Sequence, residues 1–231
     1  MLLAIDTSTQ YAGVALADEQ GVLTCRVWFS KMSHTTELMP AVAEILKSRG
    51  LSIAAVKSVA IALGPGGFSA LRVGMSVAKG LAMIAKKPLV GVPTLDLQAF
   101  PYLESGLPVC SLLDAGRGEI ASAHFDAGGR RTREDLICSS EELLEPIAEQ
   151  TLFCGEGMQS IAGVIKERLG PLAVLVGQPS TTSRLRSLAA VARKRLADNE
   201  ADDLATLQPY YLRMPSIGGP KRRDWVPQER S

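Results

Sequence analysis

The run Gly64-Pro65-Gly66-Gly67-Phe68-Ser69-Ala70-Leu71-Arg72-Val73-Gly74 constrains this chain more than any other stretch. Ahead of it, Val56 to Leu63 alternates and is rich in Val and Ile, which predicts a strand; behind it, Leu71 to Ala85 is long and rich in Ala, Leu and Met, which predicts a helix. A glycine-rich corner must therefore turn strand into helix within a few residues. Glycines with Pro65 allow the sharp turn, and Ser69 is placed to cap the helix by accepting from its orphan N–H groups. Such a corner aims bare N–H groups and the positive end of a helix dipole at one spot, where a phosphate or carboxylate can sit. The plainer reading of the same residues is a tight turn with a cap.

Either side of that corner the chain tells one story twice. Leu2 to Thr7, Ala12 to Ala17 and Val22 to Phe29 read as three strands joined by short polar turns, which suits antiparallel hairpins. From His34 the period becomes helical, with Leu38, Val42, Ile45 and Leu46 in phase until Gly50. The strand before the corner, the long helix and a short strand Pro88 to Val92 complete the order β-β-β-α-β-α-β. The second half repeats it with almost no residue identity: strands Val109 to Ala115, Glu119 to Asp126 and Thr132 to Cys138, then a helix opened by the capping box Ser139/Glu142. Strand Thr151 to Cys154, a helix from Met158 to Leu169, strand Leu172 to Val176 and a last helix from Thr182 to Asp198 follow. In both halves the first strand ends at an aspartate, Asp6 or Asp114, before a turn of small residues.

Duplicated lobes of this order resemble the ribonuclease-H-like fold of the actin, Hsp70 and sugar-kinase group, and the resemblance implies an α/β protein of two ribonuclease-H-like lobes with mixed sheets, in the actin-like ATPase superfamily. Residues 1–103 form the first lobe, 104–213 the second, and 214–231 a flexible basic tail. At 231 residues the chain suits two lobes of about 100 residues each. In this fold group the aspartate-bearing turns face each other across a cleft for ATP phosphates and metal, which makes Asp6, Asp114 and the loop after it, Gly116 included, candidates alongside Gly64, Gly66 and Gly67. Against a working kinase site, the nearest match to a second-lobe adenosine motif is the short Cys154-Gly155-Glu156-Gly157. The cleft therefore reads as degenerate.

A net charge of +1 and an aromatic content of 5% argue against a stand-alone nucleic-acid binder, which needs a basic face. The local exception is Lys221-Arg222-Arg223 in the tail, which is either a solvated end or a tRNA contact. Four cysteines, at 25, 110, 138 and 154, form no CxxC pair, and all but Cys25 fall in strand-like segments, as in a reduced, cytosolic protein. Asp6 interrupts the apolar N-terminus, and no run approaches a membrane span, so a soluble cytoplasmic protein without membrane contact is expected. With only His34 and His124, in different lobes, no metal site is expected; His34 reads as a first-turn residue bonded to nearby backbone.

The helix from Leu71 to Ala85 is apolar almost all round: Leu71, Met75, Ala78 and Ala82 on one face, Val73, Val77, Leu81 and Ile84 on another. Its own sheet can cover one face only. Gly74 and Ala78 would permit close approach of another helix, and Met39 and Ala43 of the first helix, with Arg72, extend the surface. Either the two helices bury each other or they dock a partner.

Ala4-Ile5-Asp6-Thr7-Ser8, His34, the corner Gly64 to Gly74, and Pro209-Tyr210-Tyr211-Leu212-Arg213 resemble the TsaB (YeaZ) family from Met1 to about Arg213. Members usually read Gly-Pro-Gly-Ser-Phe-Thr-Gly-Leu-Arg at the corner; this chain has Gly67, Ser69 and Ala70 at the three variable places. The resemblance implies a subunit without catalytic residues, needed for threonylcarbamoyl modification of the adenosine beside the anticodon in tRNAs reading codons that begin with A. It implies a TsaD-type transferase and a TsaE-type ATPase as partners, a homodimer when the partner is absent, and tRNA met mainly through the complex. No tightly bound cofactor follows, and at most a weakly held adenine nucleotide with magnesium at a degenerate or shared site. The alternative from another class is a stand-alone enzyme, either an ATP-dependent small-molecule kinase or a glycoprotease-like peptidase.

Overall fold

The computed structural model describes residues 1–31, 33–177 and 180–213. The tail at 214–231, with its Lys221-Arg222-Arg223 run, lies outside the described residues. The first lobe begins with β1 (Leu2–Asp6), β2 (Tyr11–Asp18) and β3 (Gly21–Phe29), an antiparallel meander, followed by α1 (His34–Ser48). β4 (Ser58–Ala62) returns parallel to β1, α2 (Phe68–Ala85) crosses over, and β5 (Leu89–Val92) adds parallel to β4. The sheet order is β3-β2-β1-β4-β5.

A short helix, α3 (Thr94–Ala99), leads to the second lobe, whose strands are β6 (Val109–Gly116), β7 (Glu119–Phe125) and β8 (Leu136–Cys138). Then come α4 (Ser140–Leu144), β9 (Thr151–Cys154), α5 (Met158–Leu169), β10 (Ala173–Leu175) and α6 (Thr181–Ala197). The order β10-β9-β6-β7-β8 is the first sheet's order read from the opposite edge. The duplicated α/β fold expected from the order of elements is thus present. The capping box at α4 is formed on both sides, with Ser139 Oγ accepting from the Glu142 N–H and the Glu142 carboxylate accepting from the Ser139 N–H.

Two helices pack where sequence order does not put them. The α1 and α2 side of the first sheet carries large side chains: Leu3, Ile5, Val14, Leu16 and Ile61 meet Leu38, Val42, Ile45 and Met75. The other side is lined by Leu2, Ala4, Ala15, Ala17, Ala60 and Ala62, and α6 lies on it through Leu185, Leu188, Ala189 and Ala192. A helix from the far end of the chain therefore belongs to the first lobe's core. Small residues on both sides allow the close approach, and at Gly13 an added Cβ would stand 2.8 Å from Leu185 Cδ1. α3, which sequence order left as connecting chain, packs Leu95 and Ala99 on the second sheet against Val109, Ala121, Ala123 and Phe125. Both faces of the first sheet are covered, which is why β1 is apolar at every residue except its terminal Asp6.

α2 has the length and composition to cross a membrane, with a mean hydropathy of 1.3, yet its inner face is docked on the first sheet. Its length reflects a helix with apolar residues on two sides. All four cysteines are free, and Cys25, too, lies in a strand, β3.

In the second lobe the His124 ring is buried, and burial, then Arg133, then Arg131, pushes its pKa down to about 4. The Arg133 guanidinium donates to Nε2, so the imidazole is neutral in the folded protein. The unfolded chain, with an ordinary value of 6.5, binds the proton more readily. Stability tied to this group is therefore complete above about pH 6.5 and is lost as pH falls towards 4, by about 3 kcal/mol in all. Comparing urea midpoints of wild type and His124→Gln between pH 7.5 and 4.5 checks this: the wild type should lose more stability over that range.

Candidate functional site

The carboxyl ends of β1 and β4 in one lobe, and of β6 and β9 in the other, open on a cleft of about 1480 Å³. Its lining includes Ser8, Thr9, Gly66, Gly67, Phe68, Asp114, Glu156, Ser160 and Tyr211. The glycine corner forms part of one wall. Gly67 stands at the N-cap of α2 and donates its N–H to the Ser8 carbonyl at 3.3 Å; no side chain caps the helix. Ser69 lies inside the first turn, so the capping role expected of it is not taken. The helix begins three residues earlier than its apolar pattern announces, at Phe68, which lines the cleft; the guanidinium of Arg72 stacks 3.9 Å from the Phe68 ring centre and donates to the Tyr211 hydroxyl at 3.3 Å.

Each corner glycine has its own reason. Gly64 takes φ +106°, and a Cβ there would lie 2.7 Å from both Leu71 Cδ1 and the Tyr210 carbonyl oxygen. A Cβ on Gly66 would overlap the carbonyl oxygen of Ser8, and one on Gly74 would overlap Thr7 Oγ1. A Cβ on Gly67 would make only an ordinary contact, 3.7 Å from Ala70 Cβ. Gly66 and Gly74 are thus fixed by close approach to the β1–β2 turn, where Thr7 Oγ1 also donates to the Ala70 carbonyl at 2.9 Å, and Gly64 by its positive φ and by Leu71 and Tyr210. The first-turn N–H groups of Phe68, Ser69 and Ala70 precede the first intrahelical bond, made by Leu71 to Gly67, and all three residues line the cleft.

The two aspartates, equivalent in the sequence, are not equivalent in space. Asp6 is fully buried: Oδ1 accepts from the Ser8 N–H at 2.9 Å and the Ser8 hydroxyl at 2.6 Å, and Oδ2 accepts from Nε of Arg184 at 2.7 Å. Both carboxylate oxygens are thus engaged, Oδ1 twice and Oδ2 by the guanidinium. Asp114 is exposed on the cleft wall, with Oδ1 accepting from the Gly116 N–H at 2.6 Å and Oδ2 from the Ser160 hydroxyl at 3.3 Å. Gly116 itself turns the loop at φ +73° and does not line the cleft.

Arg184 is the residue that sequence order concealed. It comes from α6, is fully buried, and spends its guanidinium on Asp6, the Glu156 carboxylate, Thr9 Oγ1 at 3.0 Å and the Tyr11 carbonyl at 2.9 Å. Burial pulls its pKa down, but attraction to Asp6 and then Glu156 outweighs this, and the net shift is upward. A signal was present: Arg184 is a charge in the apolar stripe formed with Leu188 and Ala192, one and two helical turns on. Gly155 and Gly157, the nearest match to an adenosine motif, are instead pressed on β6. A Cβ at Gly155, where φ is +102°, would overlap the Leu112 carbonyl oxygen.

His34 is buried at the start of α1, and its Nε2 has no partner among the described residues, contrary to the backbone bond expected. Among the described residues no three His, Cys, Asp or Glu side chains cluster as metal ligands. Of the interface candidates, Met39, Ala43 and Arg72 are exposed, whereas Gly74, Met75, Ala78 and Ala82 are buried between α2 and its sheet. The small residues serve packing within the lobe.

Substitutions should separate packing from ligand contact at the corner. Gly66→Ala should destabilise by about 2 kcal/mol, because backbone must move to admit the methyl group, and Gly64→Ala should also destabilise. Gly67→Ala and Ser69→Ala should each stay within about 0.5 kcal/mol of wild type. Chemical denaturation of the four variants measures these differences.

With this geometry in view, the comparisons are specific. The family model for TsaD, tRNA N6-adenosine threonylcarbamoyltransferase, matches residues 29–216. The tRNA threonylcarbamoyladenosine biosynthesis protein TsaB of Escherichia coli is 34% identical over 164 residues, 70% of this chain and 68% of that protein. TsaB of Bacillus subtilis is 25% identical over 219 residues, 92% of this chain and 94% of that protein. The structure of YeaZ from Pseudomonas aeruginosa superposes with a TM-score of 0.73 at 26% identity, covering 91% of this chain and 99% of that one. Sequence, length and fold agree, and the chain belongs to the TsaB (YeaZ) family.

Proposed function

We propose that this chain is a non-catalytic subunit of the machinery that makes threonylcarbamoyladenosine beside the anticodon of tRNAs reading codons that begin with A. It acts by binding and activating a TsaD-type transferase, together with a TsaE-type ATPase, in the cytoplasm, and meets tRNA mainly through that complex. The observation that carries the binding role is the outer face of α1 and α2. With the inner face of α2 spent on the sheet, Met83 and Ile84 remain 65% and 75% exposed, and Met39 on α1 is 44% exposed. Ala43 on α1 and Arg72 on α2 are exposed as well, and Val73 and Val77 are half-buried. Apolar side chains this exposed on adjacent helices favour association, at roughly 25 cal/mol per Å² removed from water. A second copy of the chain would use the same face when the transferase is absent.

The site chemistry supports the absence of turnover by this chain alone. A kinase reading needs Asp6 free to place a metal or a water beside phosphate, and Arg184 already holds it at 2.7 Å. We infer that any adenine nucleotide is held weakly, or at a site shared with the partner, against the open first turn of α2 and the Asp114 wall. A peptidase reading meets the wrong geometry: Ser122 and Cys110 lie 3.3 and 3.8 Å from His124 Nε2, but all three are buried and none lines the cleft, and Arg133 already donates to that nitrogen; the buried thiol of Cys154 is pushed up to about 12 by burial and is inert.

Co-expression with a TsaD-type partner tests the proposal. Met83→Glu combined with Ile84→Asp should reduce partner capture at least tenfold while leaving the melting temperature within a few degrees. Ala78→Arg should instead unfold the lobe, because that position is fully buried. Full capture by the double variant would place the interface elsewhere. Robust modification of tRNA by the purified chain alone would overturn the subunit reading.

A further inference from the structure

We propose that Arg184 is a built-in cation that latches the two lobes at a fixed separation, so that closure of the cleft is set by the chain itself and not by a bound ligand. Cleft closure in two-lobed proteins is ordinarily driven by a ligand that touches both lobes. Here one side chain makes those contacts. From α6, docked on the first sheet, Arg184 reaches Asp6 at the end of β1 at 2.7 Å, and Thr9 Oγ1 and the Tyr11 carbonyl in the β1–β2 turn at 3.0 and 2.9 Å. Its remaining nitrogen, Nη1, pairs with Glu156, which lies between β9 and α5 of the second lobe. Thr9 Oγ1 also donates to the same Glu156 carboxylate at 3.3 Å.

The second-lobe end of the latch is anchored in turn. The Glu156 N–H donates to the Gln98 side-chain carbonyl at 2.6 Å, and Gln98 sits fully buried on α3, the helix between the lobes. The neighbouring Gly157 N–H donates to the Leu112 carbonyl at 3.0 Å on β6. Glu156 therefore cannot follow Arg184 if the lobes part; the ion pair must break. Opening therefore exchanges a charge-assisted pair for water at Nη1 and at the Glu156 carboxylate, and that loss favours the closed arrangement. Breadth of hydrogen bonding on one planar group is what makes a guanidinium suited to the task, and an ammonium with three donors cannot reproduce it.

The inference stands on this geometry and does not depend on the family reading. The full-length chain carrying Glu156→Gln tests it, because that change leaves the Asp6–Arg184 pair and the first-lobe core intact and weakens only the arm between lobes; Arg184→Lys is the second variant. Hydrogen exchange followed by mass spectrometry, with small-angle X-ray scattering, is the readout. Exchange at the amides of residues 9–11 and 155–157 should rise at least tenfold in Glu156→Gln, with β1 and β6 unchanged, and the radius of gyration should increase. Glu156→Asp, which keeps the charge, should lie nearer wild type than Glu156→Gln. Unchanged exchange and scattering in Glu156→Gln would overturn the latch. So would a uniform rise across both sheets, which would make Glu156 a general stabilising contact and nothing more.

Discussion

The docking of α6 on the alanine-lined face of the first sheet is the contact on which the rest of this structure depends. Ala4, Ala15, Ala17, Ala60 and Ala62 present a shallow surface, and Leu185, Leu188, Ala189 and Ala192 fill it. That packing does two things at once. It removes the second apolar face of β1, β2 and β4 from water, and it delivers Arg184 to a carboxylate that would otherwise be buried alone. A carboxylate buried without a partner is strongly destabilising; Asp6, paired with Arg184 and bonded twice by Ser8, is a fixed point of the molecule.

From that fixed point the glycine corner follows. Asp6, Thr7 and Ser8 are held in one conformation, and Gly66 and Gly67 of the corner are pressed against the Ser8 backbone. Glycine is required where the two turns touch, at Gly66, and where the helix passes the same turn, at Gly74. A corner that resembles a phosphate loop in sequence is therefore in large part a packing device between two loops, while Pro65 to Ala70 also line the cleft.

The opposite side of the first sheet has the reverse economy. α1 and α2 bury large aliphatic side chains on the sheet and have apolar residues left over. The remainder, around Met39, Met83 and Ile84, lies in water in the isolated chain. The cleft has the opposite character: there Arg184 reaches from α6 to Asp6 and Glu156, and charge is paired with charge.

The sequence by itself determined the elements and their repetition. Periods of two and 3.6, turn glycines and the Ser139 capping box are local properties, and the strand Thr151–Cys154 and the helix Met158–Leu169 have the bounds their residues announce. The motif at Gly64 to Gly74 was enough to suggest the family, because a run of that kind is specific as text whatever each glycine does in space. Tertiary structure alone decided which residues meet. Asp6 and Arg184 are 178 positions apart, and nothing in a one-dimensional pattern says that α6 leaves its own lobe to cover the other. For the same reason the small residues Gly74, Ala78 and Ala82, equally suited to an inner or an outer helix contact, could be assigned only by seeing which face the sheet takes. Local free energy fixes secondary structure residue by residue. Burial, and the pairing of charge that burial demands, is decided between segments distant in the chain.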